Sequence, residues 1–308
     1  MPFVLVPPLL AFSLSPMNAA NRASCTLCLI AKNEGRYLLE WVAYHRLLGF
    51  DRIVIYDNDS DDDTAALLAP LQQHGLLERR LWSLGATESP QTTAYADALS
   101  RSETDWMLFI DADEFLVLHQ HETVAEFLAD HHADLGIGVV VVNWRLFGDN
   151  GLAIYDPRPV TERFQMAAAD DFPVQHHVKS FVRVAAALPP AQIHLWRTRG
   201  RVVHASGLPM ETMEMPGRSR RIEFSVAQLN HYYGKTLEEY QHKAARGRGG
   251  IGQNKPEIKY HYAENKFRAH NQNRQRELSL QRRQPLLQQE IARLAQLVQA
   301  GTDKTPQT

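Results

Sequence analysis

Between residues 25 and 111, short apolar runs alternate with stretches whose apolar residues recur at helical spacing, and few folds accommodate that alternation. CTLCLIA (25–31) reads as a buried strand. Leu38, Trp41, Val42, His45 and Leu48 then mark one face of a helix that Gly49 ends. DRIVIYD (51–57) is a second strand, and NDSDDDTAALLAPLQQHG (58–75) opens with capping residues and continues as a helix that Pro70 is expected to kink or restart. LLERRLW (76–82), a helix over 88–102 and WMLFID (106–111) complete the series. The pattern predicts an α/β fold with a mostly parallel central sheet flanked by helices, whose ligands gather beyond the carboxyl ends of the strands.

The 308 residues, 44% of them hydrophobic, are enough for one large or two medium cores, and a formal net charge of −2 gives no reason to expect a nucleic-acid partner. Cys25 and Cys28, three apart on a strand, point to opposite faces, so they are expected as two buried thiols rather than a metal or redox pair. The first residues are apolar but lack a basic start and are broken by Pro7, Pro8 and Pro16, which predicts a flexible tail over 1–24. Apolar runs fall short of the roughly 18–20 residues a spanning helix needs. The expectation is therefore a cytoplasmic chain not integral to a membrane, with a main domain over 25–250 and a C-terminal helical extension over 251–308. In that extension Leu287, Ile291, Leu294 and Val298 form a stripe that would pack on the main domain or a second subunit. Its arginines also allow peripheral contact with anionic lipid.

Three polar motifs each follow a strand: KNE (Lys32, Asn33, Glu34), YDNDSDDDT (56–64) and DADE (111–114). They should therefore collect along one edge of one sheet, where the carboxylates need a counter-charge. Mn²⁺ or Mg²⁺ suits them, because such ions take carboxylate oxygen and complete their shell with water and phosphate. In an extended Asp-x-Asp, Asp111 and Asp113 would face the same side.

CLIAKNEGRYLLEWVAYHRLLGFDRIVIYDNDSDDDT, followed by DWMLFIDADEFL, resembles the GT-A fold nucleotide-sugar glycosyltransferases, close to the family 2-like and family 92 branch. The resemblance continues more loosely through VNWRLFGDNG, VTERF, VKSFVRV and LNHYYGKTLEEYQHKAARG. It implies that Asn33, Glu34, Asp57 and Asn58 face the nucleoside, and that Asp111 and Asp113 serve the ribose and the metal. A late histidine often joins the metal shell in such enzymes, which points to His231, although a lone histidine is equally well a structural hydrogen-bonder. Where family 2 enzymes usually carry Asp-Asp-Gly-Ser, this chain has Asp57-Asn58-Asp59-Ser60, so the base preference stays open, with uridine as the default.

Lys243, Arg246 and Arg248 lead into a Gly-rich stretch and suit a lid over a leaving diphosphate, or an ordinary solvated helix end. Asp149 and Glu162 are alternative candidates for the base that deprotonates an acceptor hydroxyl. Trp144 and Phe147 either stack on a sugar or fill the core. The expected activity is metal-dependent, inverting transfer of a sugar to a glycan or glycolipid acceptor in polysaccharide assembly. Two alternatives stand beside it. One is a non-catalytic sugar- or nucleotide-binding module. The other is a haloacid dehalogenase-type phosphatase, disfavoured because Phe115 stands where those enzymes carry threonine.

Overall fold

The computed structural model describes residues 22–83, 89–245 and 264–302. The predicted alternation is present. β1 (Cys25–Ala31), α1 (Gly35–Leu47), β2 (Arg52–Asp57), α2 (Thr64–Gln73), β3 (Glu78–Leu81), α3 (Pro90–Ser100) and β4 (Trp106–Phe109) follow in chain order. β1 pairs in parallel with both β2 and β4, and β2 with β3, so these four strands run parallel to one another.

The chain then changes mode. β5 (Glu114–Leu118), α4 (Val124–His132), β6 (Ile137–Leu146), the short α5 (Val160–Arg163) and β7 (Met166–Ala167) precede β8 (Val178–Arg183), β9 (Arg201–His204) and β10 (Ala227–His231). β8 enters antiparallel between β4 and β6, and β10 lies parallel to β6 and antiparallel to β5. The order is β3-β2-β1-β4-β8-β6-β10-β5, with β9 added to β6. Mixed pairing of this kind lets strands distant in sequence bring side chains to the end of β4. After β10 come α6 (Leu237–Ala245), α7 (264–270), β11 (Gln275–Arg276), which pairs with β7, and α8 (Gln284–Thr302).

Each face of the sheet has its own apolar layer. Cys25, Leu27 and Leu29 pack with Trp41, Tyr44, Leu68 and Phe115, while Cys28, Val54 and Tyr56 pack with Tyr95, Phe109 and Trp196. The period-two alternation of β1 thus sends its cysteines to opposite layers. Two buried polar handles tie α1 to β5: Trp41 Nε1 donates to the Glu114 carbonyl at 3.0 Å and the Tyr44 hydroxyl to the Leu116 carbonyl at 2.6 Å. These bonds fix where the strand after DADE begins.

Pro70 lies inside α2 without dividing it. It sits in the last turn, so it removes one hydrogen bond near the helix end. α8 closes over it: a Cβ on Gly301 would lie 2.7 Å from Pro70 Cγ, so only glycine permits this approach. Of the two surfaces its stripe could cover, α8 meets α1 and α2, burying Leu287 and Leu294 completely and pairing Glu290 with Arg46 at 3.2 Å.

Candidate functional site

The turn after β2 is joined to the one after β1. Asn33 takes φ +54° and Asp59 φ +50°, left-handed conformations that asparagine and aspartate tolerate better than most residues. Asn33 N donates to Ser60 Oγ at 3.0 Å, Asp61 N to Asn33 Oδ1 at 2.9 Å, and Glu34 N to Thr64 Oγ1 at 3.2 Å. Asp62 receives Gly35 N at 3.0 Å and Thr64 N at 2.9 Å, satisfying donors at the starts of both α1 and α2. Asp57, only 1% exposed, accepts Arg79 Nη2 at 2.6 Å, and Asn58 donates to the Trp82 carbonyl at 2.9 Å. Asn33, Glu34, Asp57 and Asn58 are therefore brought together as one braced wall, with Asp59, Asp61 and Asp63 exposed on it.

The second acidic segment is built differently. Residues 111–113 form a turn rather than extended backbone: Asp111 N donates to Glu114 Oε2 at 2.7 Å and Glu114 N to the Asp111 carbonyl at 3.0 Å. The extended geometry expected for Asp-x-Asp is thus replaced, because Trp41 and Tyr44 pull the chain into β5 directly after the turn. Asp111 accepts Gln91 Nε2 at 2.8 Å and Lys179 Nζ at 2.9 Å. Lys179, fully buried on β8, also lies 3.5 Å from Glu114 Oε2. Asp113 has His231 Nε2 at 3.6 Å from Oδ1 and pairs with Lys243 through Oδ2.

Electrostatics follow from these contacts. Burial would raise the Asp113 carboxyl, but Lys243 and His231 outweigh it and hold the group well below the usual carboxylate range. Burial acts likewise on Asp111, and Lys179 overcomes it, so that carboxyl too is lowered. Glu114 goes the other way: burial, with Asp111 and Asp113 beside it, lifts it to about 8 despite Lys179. The three acids therefore divide into two carboxylates and one group that holds its proton at neutral pH.

His231 is opposite Glu114 in the β10–β5 register, with its ring 4.2 Å from that of Trp144. Its Nδ1 is buried without a hydrogen-bond partner. Burial lowers its pKa against the pull of Asp113, which favours the neutral imidazole that can accept. Asp149 holds the 148–151 turn: its carboxylate takes Asn271 Nδ2 at 2.6 Å, Asn273 Nδ2 at 3.0 Å and Gly151 N at 2.8 Å. Glu162, on α5, lies 3.4 Å from Arg158. Among the described residues no hydrogen bond or ion pair joins Asp149 or Glu162 to Asp111, Asp113 or His231. Arg246 and Arg248, and the Gly-rich stretch after them, lie outside the described residues.

Sequence reasoning missed Lys179, Gln91 and Lys235. A lysine inside the apolar run VKSFV was the available signal for Lys179, since a strand that buries an ammonium must supply it with a carboxylate. Gln91 carried none.

The sheet end thus gathers two ionised acids, two paired lysines and a buried imidazole beside a braced polar turn. Residues 24–164 match the model of glycosyltransferase family 92, and the resemblance to GT-A glycosyltransferases of that family holds for this segment. A glycosyltransferase family 92 protein from Oryza sativa subsp. japonica is 30% identical over 54% of this chain. One from Arabidopsis thaliana is 23% identical over 70% of it. The chain spans 28% and 36% of the length of those two relatives. Among solved structures, S. aureus TarS is 16% identical with a TM-score of 0.33, covering 53% of this chain and 28% of that one. Mannosyltransferase PcManGT from Pyrobaculum calidifontis, in complex with GDP-Man and Mn²⁺, is 18% identical with a TM-score of 0.32, covering 53% and 45%. Among the described residues no helix is long and apolar enough to cross a membrane.

Proposed function

We propose that this chain transfers a sugar from a nucleoside-diphosphate sugar, with a UDP-sugar as the default donor, to a hydroxyl of a glycan or glycolipid acceptor, with inversion. The observation that carries the reading is the pairing of Asp111 and Asp113, both held ionised, at the end of β4 next to the wall of Asn33, Glu34, Asp57 and Asn58. The match to a glycosyltransferase family supports it.

The donor chemistry fits Mn²⁺ or Mg²⁺. Asp111 and Asp113 are hard oxygen donors, and His231 adds a neutral imidazole. No three His, Cys, Asp or Glu residues among those described are close enough to hold an ion by themselves, so phosphate and water would supply the remaining positions. When bound, such an ion would stabilise the charge that develops on a leaving diphosphate. The chain's own part is positional. Lys179 and Gln91 fix Asp111, while Lys243 pairs with Asp113 and would offset the charge of a diphosphate bound beside it. Asp149, with both oxygens bonded at the 148–151 turn, and Glu162, beside Arg158, stand as alternative bases.

The test is calorimetric titration of UDP, GDP, CDP and ADP with and without Mn²⁺, on the wild type and on Asp113→Ala. Metal-dependent binding of one nucleotide, reduced roughly 100-fold or more in the variant, is expected. Absence of binding to all four would overturn the proposal and leave a non-catalytic module or a phosphatase.

A further inference from the structure

Lys235 is buried, 5% exposed, and adopts φ +52°, the left-handed region that favours glycine. It precedes α6, whose start is closed by a reciprocal pair: Thr236 Oγ1 donates to Glu239 Oε2 at 2.8 Å while Glu239 N donates to Thr236 Oγ1 at 3.1 Å. Instead of continuing along α6, the side chain lies against α1, with Nζ 4.1 Å from the centroid of the Tyr37 ring. Burial lowers its pKa, and Asp113, Glu34 and Glu239 act against that while Lys243 adds to it.

The other cations named at this site all have an acid. Lys179 has Asp111 and Glu114, Arg163 has Glu239 at 2.8 Å, and Lys243 has Asp113. Among the described residues Lys235 makes no ion pair and donates no hydrogen bond; the Tyr37 ring is its contact. A buried ammonium kept without an anion, on backbone that disfavours lysine, is poor design for stability alone. Tyr232, three residues before Lys235, donates its N–H to the Asp113 carbonyl at 2.9 Å, and Tyr37 is three residues after Glu34, so Lys235 joins the segments that carry the two motifs.

We infer that Lys235 is a further residue that binds phosphate here, its ammonium taking an oxygen of the diphosphate of a bound nucleoside diphosphate. The inference rests on the proposed use of such a donor and names a residue that reading did not. Lys235 is set apart from Lys243, which is already paired with Asp113.

Calorimetry of the full chain with UDP, uridine and inorganic pyrophosphate in the presence of Mn²⁺, with GDP and guanosine in parallel, tests it on wild type, Lys235→Met and Lys235→Arg. Wild type should prefer diphosphate to nucleoside. Lys235→Met should lose roughly 10- to 100-fold in diphosphate and pyrophosphate affinity, the scale of one charge-assisted hydrogen bond, with nucleoside affinity unchanged and Lys235→Arg intermediate. An unchanged diphosphate-to-nucleoside ratio in Lys235→Met would overturn the inference alone. So would an equal loss for both ligands accompanied by a lower Tm, which marks a structural lysine. Wild type that binds neither UDP nor GDP overturns the donor reading and this inference with it.

Discussion

The two acidic turns of this protein have similar composition and occupy equivalent places, each directly after a parallel strand, yet they are built on opposite principles. In the 57–64 turn the charges at 59, 61, 62 and 63 face water, and most of the bonding is to backbone N–H groups and side chains of the neighbouring loop. In the 111–114 turn the acids are buried to different degrees and are neutralised by Lys179 from β8 and Lys243 from α6. Exposed carboxylates need only local donors, since water screens them. Buried ones need a cation, and only distant strands can supply it. The first turn is thus braced mainly by the neighbouring loop, 27–30 residues away, and the second by cations 68 and 130 residues away.

That contrast predicts unequal costs. The largest should come from Lys179→Met, which strands Asp111 and Glu114 without their shared cation. A loss of about 3–5 kcal/mol in denaturant unfolding is expected, and a loss below about 1 kcal/mol would show that the second turn is no more tertiary than the first.

An intermediate effect comes from His45, on the α1 face beneath Phe115 of β5. Burial pushes its pKa down to about 3, so it stays neutral in the folded chain while the unfolded chain takes up a proton below about 6.5. The folded pKa is depressed, so its contribution is complete above about pH 6.5 and is lost as the pH falls. Roughly 2 kcal/mol should be gone by pH 5. His45→Gln should flatten the unfolding free energy between pH 5 and 7, and parallel curves for wild type and variant would refute the assignment.

The smallest effects belong to the exposed turn. Asp62→Ala removes the acceptor for Gly35 N and Thr64 N and should cost about 0.5–2 kcal/mol, seen as a lower Tm, whereas Asp63→Asn should stay within about 0.5 kcal/mol. Equal losses for the two would mean that the bonds of Asp62 contribute nothing.

The legible parts of the molecule follow the same division. β1, β2, β4 and the helices between them were readable because strand and helix periods are local properties, and so was the position of DADE at a strand end. Pro70 was misjudged: with α8 packed on it in the last turn of α2, it interrupts nothing. VKSFV signalled that Lys179 needs a carboxylate, but nothing near Lys179 or Lys235 in the chain names its neighbour. Lys179 meets Asp111 across 68 residues, and Lys235 meets Tyr37 only once β10 has been laid beside β5 and β6.

By itself the sequence determined that there would be a parallel α/β layer with acidic turns at the ends of its strands, since apolar periodicity and capping chemistry act within a few residues. Only the tertiary structure decided which acids stay charged, which holds its proton, and which lysine is buried without an acid bonded to it. Those outcomes depend on burial and on charges from β8, β10 and α6, and the energy of a charge is set by everything that surrounds it in space.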